Sequence, residues 1–298
     1  EFFAMKIIIG KTAGFCYGVK RAVDGANEAV KKSDKKTYCL GEIVHNNEVI
    51  KDLENKGIKF VDNITNAEGT TIIRAHGVPK DVYELAKRKN VKIEDYTCPM
   101  VIKIHKIAEE YAKNGYFIIL TGSKNHPENI GTMSYCGKNY YVIEKEEDVL
   151  DAIDKYENYK NESKINKMLL ISQTTYSLEK FEKIEKKIKE LLNNKNSNNE
   201  EIVIKNTICA STKVRQKETE QIAKQVDFMI IIGGKNSSNT KKLFEIASKN
   251  CQKCVCIENE TELDLDELKQ ITVVGIMAGA STPEKSINNV VKKLEKII

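Results

Sequence analysis

No apolar run in this 298-residue chain reaches the roughly eighteen residues that a membrane-spanning helix needs. That argues against a protein that threads a bilayer with helices. A signal peptide is not expected either, because the first apolar run, Lys6 to Gly10, has the length of one short strand. Glu1 to Ala4 precede Met5 and are set aside. There is no Arg-rich block: the net charge of +5 is spread along the chain. A mild positive balance suits a small anionic ligand and gives little ground for a nucleic-acid partner. The eight cysteines lack the short, regular spacings of a disulfide scaffold, so a reducing cytoplasm is expected. There, clustered thiols serve as metal ligands or redox groups. At 41% hydrophobic and 31% charged residues, the chain reads as globular with a sizeable core.

Short apolar runs alternate with amphipathic helical segments from end to end, the pattern of βα units around parallel sheets. The runs read as strands are Lys6–Ile9, Thr37–Leu40, Lys59–Val61, Thr71–Arg74, Lys92–Glu94, Tyr116–Thr121, Tyr140–Ile143, Met168–Ser172, Glu201–Lys205, Phe228–Gly233, Cys254–Ile257 and Ile271–Ile276. Helices are predicted over Tyr17–Lys32, Asn46–Lys56, Lys80–Lys89, Pro99–Lys113, Ser177–Asn193, Ala210–Gln225 and Thr240–Lys249. The polar stretch Asn193 to Glu201, without periodicity, reads as a linker.

The chain repeats itself. A shift of 111 residues lays Cys98 on Cys209, Phe117 on Phe228, Gly122 on Gly233 and His126 on Ser237. A third copy begins at Cys16, with Gly41 after its strand and His45 four residues on. The cysteine-to-glycine separations are 25, 24 and 24 residues. Such repeats imply pseudo-equivalent units. We expect three α/β modules with mainly parallel sheets, over residues 5–97, 98–205 and 206–282, presenting three cysteines to one place. A helix over 283–298 is expected to pack back onto another module.

In open α/β sheets ligands bind beyond the carboxyl ends of the strands. Those ends are polar and glycine-rich here: GEIVHNN, IIRAHGV, TGSKNHPEN, ISQTTYS, IGGKNSSN and MAGAST. Three of the four histidines, His45, His76 and His126, stand in these loops. The fourth, His105, reads as a surface or helix-packing residue. With Ser237, Ser238, Asn239 and Ser281 the loop histidines form a donor-rich set suited to a phosphate or diphosphate. Glu128 lies two residues after His126. A carboxyl beside an anionic substrate and thiolates has a raised pKa and can deliver a proton; the plainer role is a first-turn glutamate. Thr174 offers a hydroxyl at another strand end, or a cap for the helix from Ser177.

Cys16, Cys98 and Cys209 each precede a helix at the same point of the repeat, where the helix dipole favours a thiolate. Three such thiolates suit Zn²⁺ or an iron–sulfur cluster. A [4Fe–4S] cluster with three protein ligands leaves one iron open. Cys39 and Cys136 read as small buried hydrophobes. Cys251, Cys254 and Cys256 have metal-like spacing, but alternation puts Cys254 and Cys256 on one face of a strand with no fourth ligand nearby. They read as core.

The motifs GFCYGVKRAV, GEIVHN, RAHGV, TCPMV, GSKNHPE, SQTT, TIC, GGKNSSN and AGAST resemble, in order and over nearly the whole chain, those of the 4-hydroxy-3-methylbut-2-enyl diphosphate reductases. These are the iron–sulfur enzymes that end the methylerythritol phosphate route to isoprenoid precursors. The resemblance implies a trefoil of three modules around a central [4Fe–4S] cluster, held by Cys16, Cys98 and Cys209 with one open iron. It implies a diphosphate pocket lined by His45, His76, His126, Ser237, Ser238, Asn239 and Ser281. It also implies catalytic roles for His126, for Thr174 at the substrate hydroxyl and for Glu128 as proton source. A ferredoxin- or flavodoxin-type donor would supply electrons, and a monomer is expected. Ala210-Ser211 after Cys209 departs modestly from the family pattern. Two rivals stand beside this reading. A hydratase or lyase with the same open iron would need no electron donor, and a zinc-stapled binding protein for phosphorylated ligands would hold no iron.

Overall fold

The computed structural model describes residues 5–32, 36–193 and 200–297. The expected linker therefore falls largely outside the described residues. In chain order the elements are β1 (Lys6–Ile9), α1 (Tyr17–Lys32), β2 (Thr37–Leu40), α2 (Asn47–Asn55), β3 (Ile58–Val61), β4 (Thr70–Ile73), α3 (Lys80–Arg88), β5 (Lys92–Asp95), α4 (Pro99–Lys113) and β6 (Phe117–Thr121). There follow α5 (Pro127–Met133), β7 (Tyr140–Ile143), α6 (Val149–Ser163), β8 (Lys167–Ser172), α7 (Leu178–Asn193) and β9 (Glu201–Ile204). The last are α8 (Ala210–Ala223), β10 (Phe228–Ile232), α9 (Ser238–Asn250), β11 (Cys254–Ile257), β12 (Val273–Ala278) and α10 (Glu284–Leu294). All twelve expected strands are present, with ends shifted by up to two residues. Two α-helices lie outside the predicted spans. One is α5; the other is α6, although its buried Val149, Ala152, Ile153 and Tyr156 keep helical spacing.

The strands form three four-stranded sheets, ordered β3-β2-β4-β5, β7-β6-β8-β9 and β1-β12-β10-β11. Pairing is parallel, with Thr37 opposite Thr70, Phe117 opposite Met168 and Phe228 opposite Val274. The class is α/β, as expected. The inner strands FIILT and FMIII are buried at every residue, because helices cover both faces of such sheets.

One boundary needs correction. β1 pairs with β12, Ile7 opposite Val274, so the first strand completes the sheet of the last third rather than that of residues 5–97. Each sheet then has the same order, and each cysteine follows its sheet's fourth strand: Cys98 after β5, Cys209 after β9 and Cys16 after β1.

The described residues divide into two compact units. One draws on Glu1–Val30, Glu42–Ile58 and Ala210–Ile298. In it, one face of the β1-β12-β10-β11 sheet packs Phe228, Ile230, Val274 and Ile276 against Ile287, Val290 and Leu294 of α10. The C-terminal helix thus covers the sheet of its own third of the chain, not another module, because its apolar stripe matches that face. The opposite face packs Met229, Ile231 and Met277 on α8 and α9. The other unit draws on Lys31–Gly41 and Lys59–Cys209. There, Phe117, Ile119 and Leu170 meet α6 and α7, while Ile118, Leu120 and Ile171 meet α4. The β3-β2-β4-β5 sheet packs Tyr38, Leu40 and Ile73 against Val78 and Ala86.

Candidate functional site

The repeat is visible in the hydrogen bonds at the strand ends. The glycines after β2, β6 and β10 each donate an N–H to the last residue of a neighbouring strand: Gly41 to Val61, Gly122 to Ile143 and Gly233 to Ile257. The three cysteines likewise donate their N–H to equivalent loop carbonyls: Cys98 to Ala75, Cys209 to Thr174 and Cys16 to Ala280. All three are partly exposed, and none of the eight cysteines, all among the described residues, is in a disulfide.

In the unit carrying Cys98 and Cys209, the centre of polar bonding is Glu128. β6 is followed by Gly122, whose φ of +140° and crowding are tolerable only without a side chain. A Cβ there would lie 2.5 Å from both Asn129 Nδ2 and Gln173 Oε1. The chain then turns through His126, which caps α5 by accepting the Glu128 N–H at Nδ1, 3.2 Å away. This seats Glu128 in the first turn of α5 with 2% of its surface exposed. Thr174 donates to the carboxylate twice, from its N–H to Oε1 and from its hydroxyl to Oε2, both at 2.6 Å. Burial pushes the Glu128 carboxyl up to about 7, against the opposing pull of the two Thr174 bonds. The direction is the expected one, but its cause is desolvation rather than neighbouring negative charge. Thr174 does not cap the helix after it; Ser177 does, accepting from Lys180 N at 3.3 Å.

In the same unit, the His76 and His126 rings meet edge to face, centroids 5.3 Å apart. His105 is buried and stacked on Tyr135 at 4.3 Å. Desolvation lowers its pKa to about 4, so it is a neutral packing group, as expected.

The unit carrying Cys16 gathers a different set. Ser281 donates from Oγ to the His45 carbonyl at 3.2 Å. Gly234 lies so close to that carbonyl that any Cβ would collide with it. The His45 ring meets Glu42 through Nδ1 at 3.0 Å. Ser237 caps α9, accepting from Thr240 N at 3.3 Å, so Ser238 and Asn239 form the first turn, where N–H groups favour an anion. Asn239 is 3% exposed, yet neither side-chain polar atom has a hydrogen-bond partner among the described residues. Buried amides are seldom left so, and a ligand would satisfy this one.

Other cysteines behave as packing groups. Burial pushes the thiols of Cys39 and Cys136 up to about 12 and that of Cys254 to about 11. Cys251, Cys254 and Cys256 join the apolar cluster with Leu243 and Ala247. Their sulfurs do not draw together into a metal-sized group among the described residues. Sequence reasoning missed Gln173 and Asn129, which crowd Gly122, and Arg74, whose guanidinium crowds Gly41 in the same way. The signal was the glycine at each strand end.

Parallel α/β sheets whose carboxyl-end loops carry histidines, hydroxyls and, in one unit, a buried carboxyl are the architecture of α/β enzymes, which bind ligands at those ends. The LytB protein family model matches residues 7–295, and the chain belongs to that family. It is an oxidoreductase. A relative from Clostridioides difficile (strain 630), named 4-hydroxy-3-methylbut-2-enyl diphosphate reductase, is 42% identical over 299 residues, 98% of this chain and 100% of the relative. A solved structure of (E)-4-hydroxy-3-methyl-but-2-enyl diphosphate reductase, described as the terminal enzyme of the non-mevalonate pathway, is 37% identical. Its TM-score is 0.70, covering 99% of this chain and 100% of that one. A Plasmodium falciparum E-1-hydroxy-2-methyl-but-2-enyl-4-diphosphate reductase structure is 30% identical with a TM-score of 0.85, covering 97% of this chain and 88% of that one. Among the described residues no helix is long and apolar enough to cross a membrane.

Proposed function

We propose that this protein reduces (E)-4-hydroxy-3-methylbut-2-enyl diphosphate to isopentenyl and dimethylallyl diphosphate and water, as the last step of the non-mevalonate route. The observation that carries the proposal is the buried Glu128 carboxyl, bonded twice to Thr174 and poised near neutrality. Removing an allylic hydroxyl as water consumes two electrons and two protons. One proton leaves with the hydroxyl and the other forms a C–H bond at either end of the allyl group, which accounts for two products. A carboxyl that is protonated near pH 7 is the group this chemistry needs, and in this reading the Thr174 hydroxyl bonded to it meets the substrate hydroxyl.

In this reading Cys16, Cys98 and Cys209 hold a [4Fe–4S] cluster with one open iron. What supports this set is the chemistry of its donors: three partly exposed thiols, each in the loop after its sheet's fourth strand with its amide on an equivalent carbonyl. When bound, such a cluster supplies single electrons and Lewis acidity. The diphosphate is held by His45, His76, His126, Ser237, Ser238, Asn239 and Ser281, a mix of imidazoles, hydroxyls and helix N–H groups. Asn239, with its unsatisfied amide, gains its bonds only when the ligand arrives. Holding the diphosphate fixes the hydroxyl end relative to Thr174 and Glu128, and this orientation is the chain's contribution to rate beyond the proton. Electrons come from a ferredoxin- or flavodoxin-type donor, and the enzyme works as a cytoplasmic monomer.

The test is anaerobic purification with iron, sulfide and zinc assays and Mössbauer spectra, with and without substrate. About four irons per chain, as a cubane cluster requires, with one iron site altered by substrate, is the expected result. Zinc without iron overturns the proposal.

A further inference from the structure

The three loops that lead into the equivalent cysteines differ in length. Two residues separate β5 from Cys98, four separate β9 from Cys209, and six separate β1 from Cys16. The side chains that brace the two shorter loops belong to the loops themselves or to the strand end beside them. Asp95 accepts the Thr97 N–H at 2.8 Å and its hydroxyl at 2.5 Å. Asn206 accepts the Ile208 N–H at 3.2 Å, and the Thr207 hydroxyl bonds the Ser172 backbone. A longer loop has more conformations to lose, and the one before Cys16 takes its brace from elsewhere in its unit.

That brace is one face of α8. Arg215, 2% exposed, donates from Nε to the Thr12 carbonyl and from Nη2 to the Gly14 carbonyl, both at 2.9 Å. Its third nitrogen, Nη1, meets Ser211 Oγ at 3.3 Å. One turn along, Glu218 accepts the Lys11 N–H at 2.7 Å, the Thr12 N–H at 2.9 Å and the Thr12 hydroxyl. Residues three apart share a helix face, so the cation takes the loop's carbonyls and the anion its amides. Charge-assisted bonds of this kind are the strong ones. Gly14, at φ +98°, completes the turn, and the Cys16 N–H closes it on Ala280 at 3.2 Å.

We propose that Arg215 and Glu218 are positioning residues that pre-form the Gly10–Cys16 loop, so that the Cys16 thiol is in place before a cluster is inserted. The proposal rests on the reading of Cys16 as a cluster ligand. The experiment is timed alkylation with iodoacetamide, followed by mass spectrometry, on the full chain in cluster-free and reconstituted forms. In cluster-free Arg215→Met, Cys16 is expected to react about tenfold faster than in the wild type, the increase in local opening that follows loss of a charge-assisted bond. Arg215→Lys, which keeps the charge but not the fork, falls between the two. Glu218→Gln preserves shape and gives the same test should Arg215→Met fail to fold. Cys98 keeps its wild-type rate in each. Unchanged Cys16 reactivity in these variants overturns the proposal, and so does a rise at Cys98 by the same factor, which would mean general loosening. The underlying reading is tested separately. Reconstitution of the wild type should protect Cys16 and Cys98 together; protection of Cys98 alone removes Cys16 from the ligand set whatever the variants do.

Discussion

Replacing Glu128 by Gln isolates the proton from everything else the side chain does. The amide has the carboxylate's shape. Its oxygen still accepts the Thr174 N–H, now 2.6 Å from Oε1, and its NH₂ group can donate to the Thr174 hydroxyl, which turns to accept. Loss of fold stability at neutral pH should stay within about 1 kcal/mol, the net worth of one such bond, and cluster content should not change. Turnover, by contrast, should fall by about a hundredfold to ten-thousandfold, the usual contribution of a positioned general acid. The pH dependence supplies a second, independent readout. Burial raises the folded carboxyl from 4.5 to about 7, so between those values the folded protein binds more protons than the unfolded chain. Stability contributed by the protonated group is then complete below the unfolded value and is lost as pH rises through the folded one. The slope is at most about 1.4 kcal/mol per pH unit. Chemical unfolding of the cluster-free protein across this range should show that slope in the wild type and its removal in Glu128→Gln. Wild-type turnover, assayed anaerobically with a reduced viologen donor, should decline above about pH 7 as the acid is lost. Near-full activity in the variant removes Glu128 from proton delivery, and an unchanged stability slope removes the assignment of its titration.

Two further outcomes follow from the site. Cys98→Ser should abolish intact cluster, read by iron content and visible absorbance, whereas Cys254→Ser should keep it, because Cys254 packs in an apolar cluster with Leu243 and Ala247. Asn239→Ala should leave the unfolding midpoint nearly unchanged, since its amide atoms have no partner to lose. It should raise the KM for the diphosphate by about tenfold or more, the worth of a bond to a charged group.

Much of this was legible along the chain because it depends on local order. The strands are continuous apolar runs such as FIILT and FMIII, long enough to state their own burial. The 111-residue shift and the Cys-to-Gly separations marked equivalent positions before any pairing was known, and the hydrogen bonds from Gly41, Gly122 and Gly233 give those positions a common role. The loop histidines, Ser237, Asn239 and Glu128 were picked out by residue type and by standing at strand ends. The helix α6 lies outside the predicted spans although its buried residues keep helical spacing, because charged residues and asparagines separate its few apolar ones.

What the sequence determined, then, was the set of elements, their repeat and the chemistry at their ends. Each follows from interactions between near neighbours: helix and strand periodicity, caps, and the backbone freedom of glycine. Only the tertiary structure decided which distant segments share a sheet or a pocket. It placed β1 beside β12 and set α10 on its own sheet, since parallel pairing and matching apolar faces carry no local signature. It also set Thr174 on Glu128 across 46 residues and Arg215 and Glu218 on the loop before Cys16. A proton's affinity for Glu128 depends on the water excluded around it, and that exclusion exists only once the packed unit has formed.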